Sequence, residues 1–288
     1  MTDRRSFLSR AALGAAGASL AATPAALATT TSTTGAAALS TDRPLDGRAA
    51  VVTGARNNIG RAIAVELARM GADVVVHYHR PETRDQAEET ARMCQAHGVR
   101  TALAVGDLGR LDTNRRMFDT ATDTFGRLDV FVHNAGRLEL IPIAEVSDEA
   151  YLRMQRVNVD ATFYGFREAA QRIEDGGRIL GISSAVTAGP IPSFGVYTSG
   201  KMFMEGMVLT LAKELGSRRI TVNAIAPGAF NTPFFHALMT PESVIEATPM
   251  GRLGEVEELI PLVRMLVSPE AGWMNGETIY VNNGVVQA

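Results

Sequence analysis

From Pro44 onward, short runs that are apolar throughout alternate with longer amphipathic stretches, and this alternation constrains the fold more than any other feature. The runs fall at 49–53, 73–78, 100–105, 129–134, 177–183, 221–226 and 278–283. Helical periodicity fills the intervals at 59–70, 84–97, 113–125, 148–173, 196–215 and 255–266. A strand without a polar face must be covered on both sides, and strands separated by helices pair in parallel. The expected class is α/β, one doubly wound domain around a parallel seven-stranded sheet.

Residues before Pro44 do not share this pattern. "DRRSFLSR" precedes an uncharged, alanine-rich run that ends in an A-x-A site at Ala26-Leu27-Ala28. A basic segment, an apolar segment and a small-residue site make a leader over 1–28, and Arg4-Arg5 before Ser6-Phe7-Leu8 resembles the twin-arginine kind. Residues 29–43, rich in Thr and Ala, read as a flexible tether, and 44–288 as the folded domain. The expected location is periplasmic or otherwise exported, and cytoplasmic if the leader is not used. A net charge of -3 gives no reason to expect nucleic acid as a partner. The single cysteine, Cys94, rules out an internal disulfide and a cysteine metal cluster, and no metal site is expected. No apolar run in the body is long enough to span a bilayer.

In a doubly wound sheet, ligands bind beyond the carboxyl ends of the strands. Small and polar residues follow six of the runs: Thr53-Gly54, His79-Arg80, Asp107, Asn134-Ala135-Gly136, Ser183-Ser184 and Pro227-Gly228. The first loop, "TGARNNIG", resembles a phosphate-binding turn in which Asn58 stands where a glycine is usual. Gly54 and Gly60 leave room for backbone approach, and the positive end of the next helix favours a pyrophosphate. Asparagine tolerates positive φ, so Asn58 is compatible with the turn. Arg56 and Ile59 complete the candidate loop.

With these motifs in order, the chain from about Leu45 resembles the short-chain dehydrogenase/reductase family. "TGARNNIG", "GDL" at 106–108, "HNAG" at 133–136, "VNVDATF" at 157–163, "ISSAVTAGPIPSFGVYTSGK" at 182–201, "APGAFNT" at 226–232 and "NGETIYVNNG" at 275–284 carry the likeness. It departs from the family at Asn58, at His133 and in "VNNG". The resemblance implies a single Rossmann-type domain and hydride transfer with a nicotinamide cofactor. It implies catalytic roles for Tyr197, Lys201, Ser184 and Asn158. Tyr197 would exchange a proton with the substrate oxygen, Lys201 would hold the nicotinamide ribose, and Asn158 would hold a water linked to the lysine. Ser184 would hydrogen-bond the substrate oxygen, with Ser183 the neighbouring alternative. Asp107 and Leu108 would contact adenine, and Asn134, Ala135, Gly136, Pro227, Gly228 and Thr232 would line the rest of the cofactor cleft.

Tyr197 and Lys201, four apart, share a helical face. A free phenol has a pKa of about 10, and a nearby ammonium favours its ionised form. A downward shift of roughly 2–3 units would bring Tyr197 near working pH. After the second strand, "HYHR" offers Arg80 and His79 where a carboxylate would select NAD, and Arg80 can pair with a 2′-phosphate. NADP(H) is therefore expected in preference to NAD(H). "HYHR" with Asn58 also resembles the pteridine reductase branch, although Ser184 stands where that branch commonly has aspartate. The expected activity is NADPH-dependent reduction of a small-molecule carbonyl, or the reverse alcohol oxidation. The alternatives are an NAD-dependent alcohol dehydrogenase and a non-catalytic NADP-binding sensor. Phe230 to Gly254 would cover the substrate, with Phe230, Phe234, Phe235, Leu238 and Met239 as an apolar lid and Ile141 and Phe194 as further lining. The resemblance also implies a homodimer or homotetramer formed through helices 148–173 and 196–215.

Overall fold

The computed structural model of the protein describes residues 43–285. The leader expected at 1–28, and all of the tether expected at 29–43 except Arg43, lie outside the described residues. The seven strands are β1 (Ala49–Val52), β2 (Asp73–Tyr78), β3 (Thr101–Val105), β4 (Val130–His133), β5 (Arg178–Ile182), β6 (Thr221–Pro227) and β7 (Thr278–Val281). They form one sheet in the order β3-β2-β1-β4-β5-β6-β7, with every neighbouring pair parallel. In this register Val51 lies between Val75 and Phe131. The strands read as apolar throughout because helices cover both faces.

The helices are α1 (Asn58–Arg69), α2 (Arg84–Gln95), α3 (Leu111–Phe125), α4 (Asp148–Gln155), α5 (Ala161–Arg172), α6 (Gly195–Glu214), α7 (Pro233–His236), α8 (Pro241–Ala247) and α9 (Ile260–Val267). On one face α1 and α9 place Ile63, Leu67, Val263 and Leu266, and α2 places Ala87 and Cys94, in one cluster with Val52, Val74, Val76 and Leu180. On the other, α3, α5 and α6 pack Phe118, Phe166 and Met204 onto Phe131, Ile179 and Val222. The rings of Phe118 and Phe166 lie 5.0 and 6.2 Å from that of Phe131. Each such side chain contributes about 2 kcal/mol by leaving water.

Two helical expectations are corrected. The helix expected over 148–173 is interrupted at Arg156–Asp160 by a π turn that separates α4 from α5. The helix expected from 255 begins as α9 at Ile260. A short 3₁₀ turn, Val256–Glu258, precedes it, capped reciprocally by Glu255 and Glu258. Pro261 lacks an N–H, so it sits in the first turn of a helix and not in its interior. At the amino ends of the strands, Asp129 fastens β1 to β4. Its carboxylate accepts from Arg48 Nη1, from Arg127 Nε and Nη2, and from the Ala49 N–H, at 2.6, 2.6, 2.6 and 2.9 Å.

Candidate active site

The strand order reverses between β1 and β4, which sets their carboxyl ends side by side. Thr53 joins them: its hydroxyl oxygen accepts from the Asn134 and Ala135 N–H groups at 2.9 and 3.0 Å. Asn134 Nδ2 answers by donating to the carbonyls of Thr53 and Gly54 at 3.0 and 3.2 Å. A Cβ at Gly60 would lie 2.4 Å from the Gly54 oxygen, so only glycine allows α1 to start this close to the strand. Asn58 has φ 50 at the start of α1, the left-handed region that asparagine tolerates. The turn thus sets backbone and small groups at the N-terminus of α1, whose positive end and N–H groups suit a dinucleotide's pyrophosphate.

A residue that sequence reasoning passed over organises this loop. His77, buried in β2, accepts the Gly54 N–H at Nδ1 (3.2 Å), and its Nε2 faces the Gly106 carbonyl at 3.0 Å. An acceptor at Nδ1 puts the proton on Nε2, which donates to Gly106. One neutral ring therefore ties the loop after β1 to the loop after β3, and burial holds its pKa down at about 4. The only signal in the sequence was a polar residue inside an apolar run.

Beyond β2, His79 and Arg80 are exposed. Arg56 is partly buried, with its guanidinium donating to the Gln86 side chain. Ile59 packs against the core. Asp107 accepts the Gly109 N–H at 2.9 Å and lies 3.5 Å from Arg156, while Leu108 is buried.

Ser184 follows β5, and Tyr197 and Lys201 stand one turn apart on α6, both buried. The Ser184 side chain lies beside the Tyr197 phenol and favours its ionised form. Ser183, the alternative, turns instead to Glu205, donating at 2.5 Å. Lys201 Nζ donates to the Ile182 carbonyl at 2.7 Å. Asn158 lies in the π turn, and its side chain clasps the backbone of Arg137, accepting the N–H at 3.0 Å and donating to the carbonyl at 2.7 Å. A Cβ at Gly136 would approach Lys201 Nζ to 3.2 Å and Asn158 Oδ1 to 3.5 Å, so the "NAG" turn runs directly against both. His133 is also buried. Thr162 gives its one hydroxyl proton to the Asn158 carbonyl (2.7 Å), so His133 Nε2 donates to Thr162 (3.1 Å). Burial lowers this histidine to about 3.

The expected acidification of Tyr197 is corrected. Burial raises the phenol to about 12, against a smaller lowering by the Ser184 hydrogen bond. The Lys201 ammonium donates to the Ile182 carbonyl and lies 5.6 Å from the centre of the tyrosine ring. Lys201 is itself lowered to about 8 by burial, with the charge of Glu205 opposing. At neutral pH the pair is a protonated phenol beside a largely charged ammonium.

Around the phenol, Val186, Phe194, Leu138, Leu140 and Met239 form an apolar wall. The expected lid divides. Met239 joins this wall and Phe234 is exposed, but Phe230 and Phe235 are buried at 6% and 8%, Phe230 as part of the core. Thr232 is drawn into local structure: its hydroxyl caps α7 by accepting the Phe235 N–H at 3.2 Å. Pro227 ends β6, and the Gly228 N–H donates to Val281 at 2.9 Å. Among the described residues no helix is long and apolar enough to cross a membrane.

A family model described as enoyl-(acyl carrier protein) reductase matches residues 54–286. A short-chain type dehydrogenase/reductase of Picea abies is 40% identical over 255 residues, covering 84% of this chain and 93% of the relative. Among solved structures, a short chain dehydrogenase of Burkholderia cenocepacia in complex with NADP superposes with a TM-score of 0.79 at 28% identity, over 84% of this chain and 99% of the other. The angucycline C-6 ketoreductase LanV with bound NADP gives 0.78 at 33% identity, over 84% and 97%. A glycine turn bound to the "NAG" loop, a Ser-Tyr pair beside a buried lysine, and this likeness along most of the chain lead to one conclusion: the protein belongs to the short-chain dehydrogenase/reductase family of oxidoreductases.

Proposed function

We propose that this enzyme reduces apolar ketones or aldehydes with NADPH. The observation that carries the reading is a buried Tyr197 one helical turn from a buried Lys201, with Ser184 beside the phenol at the sheet's rim. The bound nicotinamide supplies the hydride, and the residues of this chain position the carbonyl and handle its proton. Ser184 donates a hydrogen bond to the substrate oxygen. Tyr197 gives its proton to the same oxygen as the C=O double bond becomes the C–O single bond of the alcohol. Lys201, a charged neighbour of the ring, favours the phenolate that remains. Asn158 holds the "NAG" turn against Lys201. The apolar wall of Leu138, Leu140, Val186, Phe194 and Met239 excludes water from the transfer and supports an apolar substrate.

The NADP preference rests on Arg80, His79 and Arg56 near the end of β2 and the glycine loop. A guanidinium there pairs with a 2′-phosphate, and no carboxylate stands at the strand's end to repel it. NADP in two similar family members supports this reading. The adenine contacts fall to Asp107 and Leu108, and the nicotinamide side to Asn134, Pro227, Gly228 and the backbone near Thr232. Exposed Phe163, Met202 and Leu209 on α5 and α6 support a homodimer or homotetramer, which sedimentation would size. Twin-arginine export is carried by Arg4 and Arg5, and replacing both with lysine should leave the protein in the cytoplasm on fractionation.

A nucleotide titration and a turnover assay test the reading together. NADPH should bind more tightly than NADH, and Arg80→Ala should weaken NADPH alone. Purified enzyme should oxidise NADPH with apolar ketones in a panel that also holds quinones, pterins and acidic ketones. Tighter NADH binding overturns the cofactor, and absence of turnover across the panel overturns the activity.

A further inference from the structure

Glu205 lies one helical turn beyond Lys201, and nothing in the family likeness drew attention to it. Its Oε1 accepts from two hydroxyls at once, Ser183 at 2.5 Å and Thr187 at 2.8 Å. These two residues bracket Ser184. Ser183 is its immediate neighbour, and Thr187 closes the short 3₁₀ turn Ala185–Thr187 that follows it. Thr187 has one hydroxyl proton and two acceptors within reach, Glu205 and the Ser184 carbonyl at 2.9 Å. The carboxylate is the stronger acceptor. Tyr280 OH, 3.1 Å away on β7, then donates to the Thr187 oxygen. The chain of donors runs Tyr280 to Thr187 to Glu205, with Ser183 entering from the other side. One carboxylate on α6 thereby fixes the ends of the loop that carries Ser184, the strand before it and the last strand of the sheet. Ser183 and Thr187 are both nearly inaccessible to water, so the hydrogen bonds that replace solvent here are costly to lose.

We infer that Glu205 is a positioning residue, holding the Ser184 hydroxyl against Tyr197 by anchoring the loop at Ser183 and Thr187. The inference rests on the proposed role of Ser184 and extends it to a residue that touches neither substrate nor cofactor. A hydroxyl that must meet both the phenol and a carbonyl oxygen has little tolerance for displacement, since misplacement by about 1 Å costs on the order of a hundredfold in rate. The geometry also accounts for why Ser183 does not compete for the substrate. Its proton is committed to the carboxylate.

The test is a set of variants in the ketone reduction assay, with NADPH affinity and melting temperature measured on each. Glu205→Ala should lower kcat by about tenfold to a hundredfold with the Kd for NADPH unchanged. Glu205→Gln should restore kcat to within about threefold of wild type, because the amide oxygen still accepts both bonds and only the charge assistance is lost. In a Ser184→Ala background, Glu205→Ala should add no further loss. Losses that multiply, or an equal failure of Gln and Ala, overturn the inference while leaving the role of Ser184 intact. Wild-type turnover by Ser184→Ala overturns the role of Ser184, and the inference with it. If Glu205→Ala does not fold, the pair Ser183→Ala and Thr187→Val removes the same two struts from the loop side and leaves Glu205 in place. That pair should reproduce the kcat loss, and wild-type kcat in it overturns the inference.

Discussion

A phenol and an ammonium one turn apart were expected to pull each other toward ionisation, and in the fold burial pulls harder on both. Tyr197 ends near 12 and Lys201 near 8. Two predictions follow from those directions. Tyr197→Phe should lower kcat by roughly 10³-fold, the scale of a lost general acid, while NADPH titrates it as it does wild type. The rate of reduction should be level in neutral solution and fall above pH about 8, where Lys201 loses its proton. A profile that instead rises through that range would mean the neutral amine is the working form. His77 permits a sharper substitution. Asparagine can accept from Gly54 and donate to Gly106 as the imidazole does, so His77→Asn should keep NADPH affinity and His77→Ala should weaken it, as read by calorimetry. Ser184, Tyr197, Lys201 and Asn158 were expected because two short motifs, 157–163 and 182–201, resemble those of the family. His77 and Glu205 were not, because their partners come from separate elements that only the fold brings together.

At the scale of elements, the sheet could be read almost directly from apolar runs, with ends displaced by a residue or two. The π turn at Arg156–Asp160 could not. One extra residue in a helical turn leaves the hydrophobic period nearly unchanged on either side, yet it redirects Asn158 onto the Arg137 backbone. The subdivision of the lid also escaped, since an aromatic that lines a cleft and one that underpins it look alike in sequence. The glycine turn gives the clearest test at this scale. Gly60→Ala would set a methyl 2.4 Å from the Gly54 oxygen, too close for either backbone to stay in place. NADPH affinity should drop more than tenfold, about 1.4 kcal/mol, while circular dichroism reports the helix content of wild type. Unaltered affinity would show that the turn does not hold the pyrophosphate.

For the whole molecule, acid should be destabilising, and the groups responsible can be named. His77 and His133 have folded pKa values of about 4 and about 3, below the 6.5 of an exposed imidazole. Between those limits the unfolded chain binds more protons, so stability is full above pH about 6.5 and declines as pH falls toward the folded values, by up to about 1.4 kcal/mol per unit for each ring. Asp129 acts lower in the range. Burial alone would raise its carboxyl, but hydrogen bonds from Arg127, Arg48 and the Ala49 N–H outweigh burial and leave it below the usual value. Its contribution is present above pH about 4 and is lost as pH falls further. Denaturant titrations at pH 7.5 and 5 should show the histidine part, roughly 2–4 kcal/mol after allowing for residual exposure on fluctuation. Asp129→Asn should cost about 2 kcal/mol at neutral pH, since two of its partners are part-exposed arginines. Equal stabilities at the two pH values would exclude the neutral buried rings.

The reversal of strand order carries a consequence in time. The Thr53 hydroxyl bonds Asn134, which is 81 residues later in the chain. During synthesis β1, β2 and β3 can assemble first, yet the wall opposite the glycine turn is missing until β4 has emerged and slipped in beside β1. A cleft able to take a nucleotide would therefore be completed late in the life of the nascent polypeptide, and a product cut short before Val130 would carry the glycine turn without the wall opposite it.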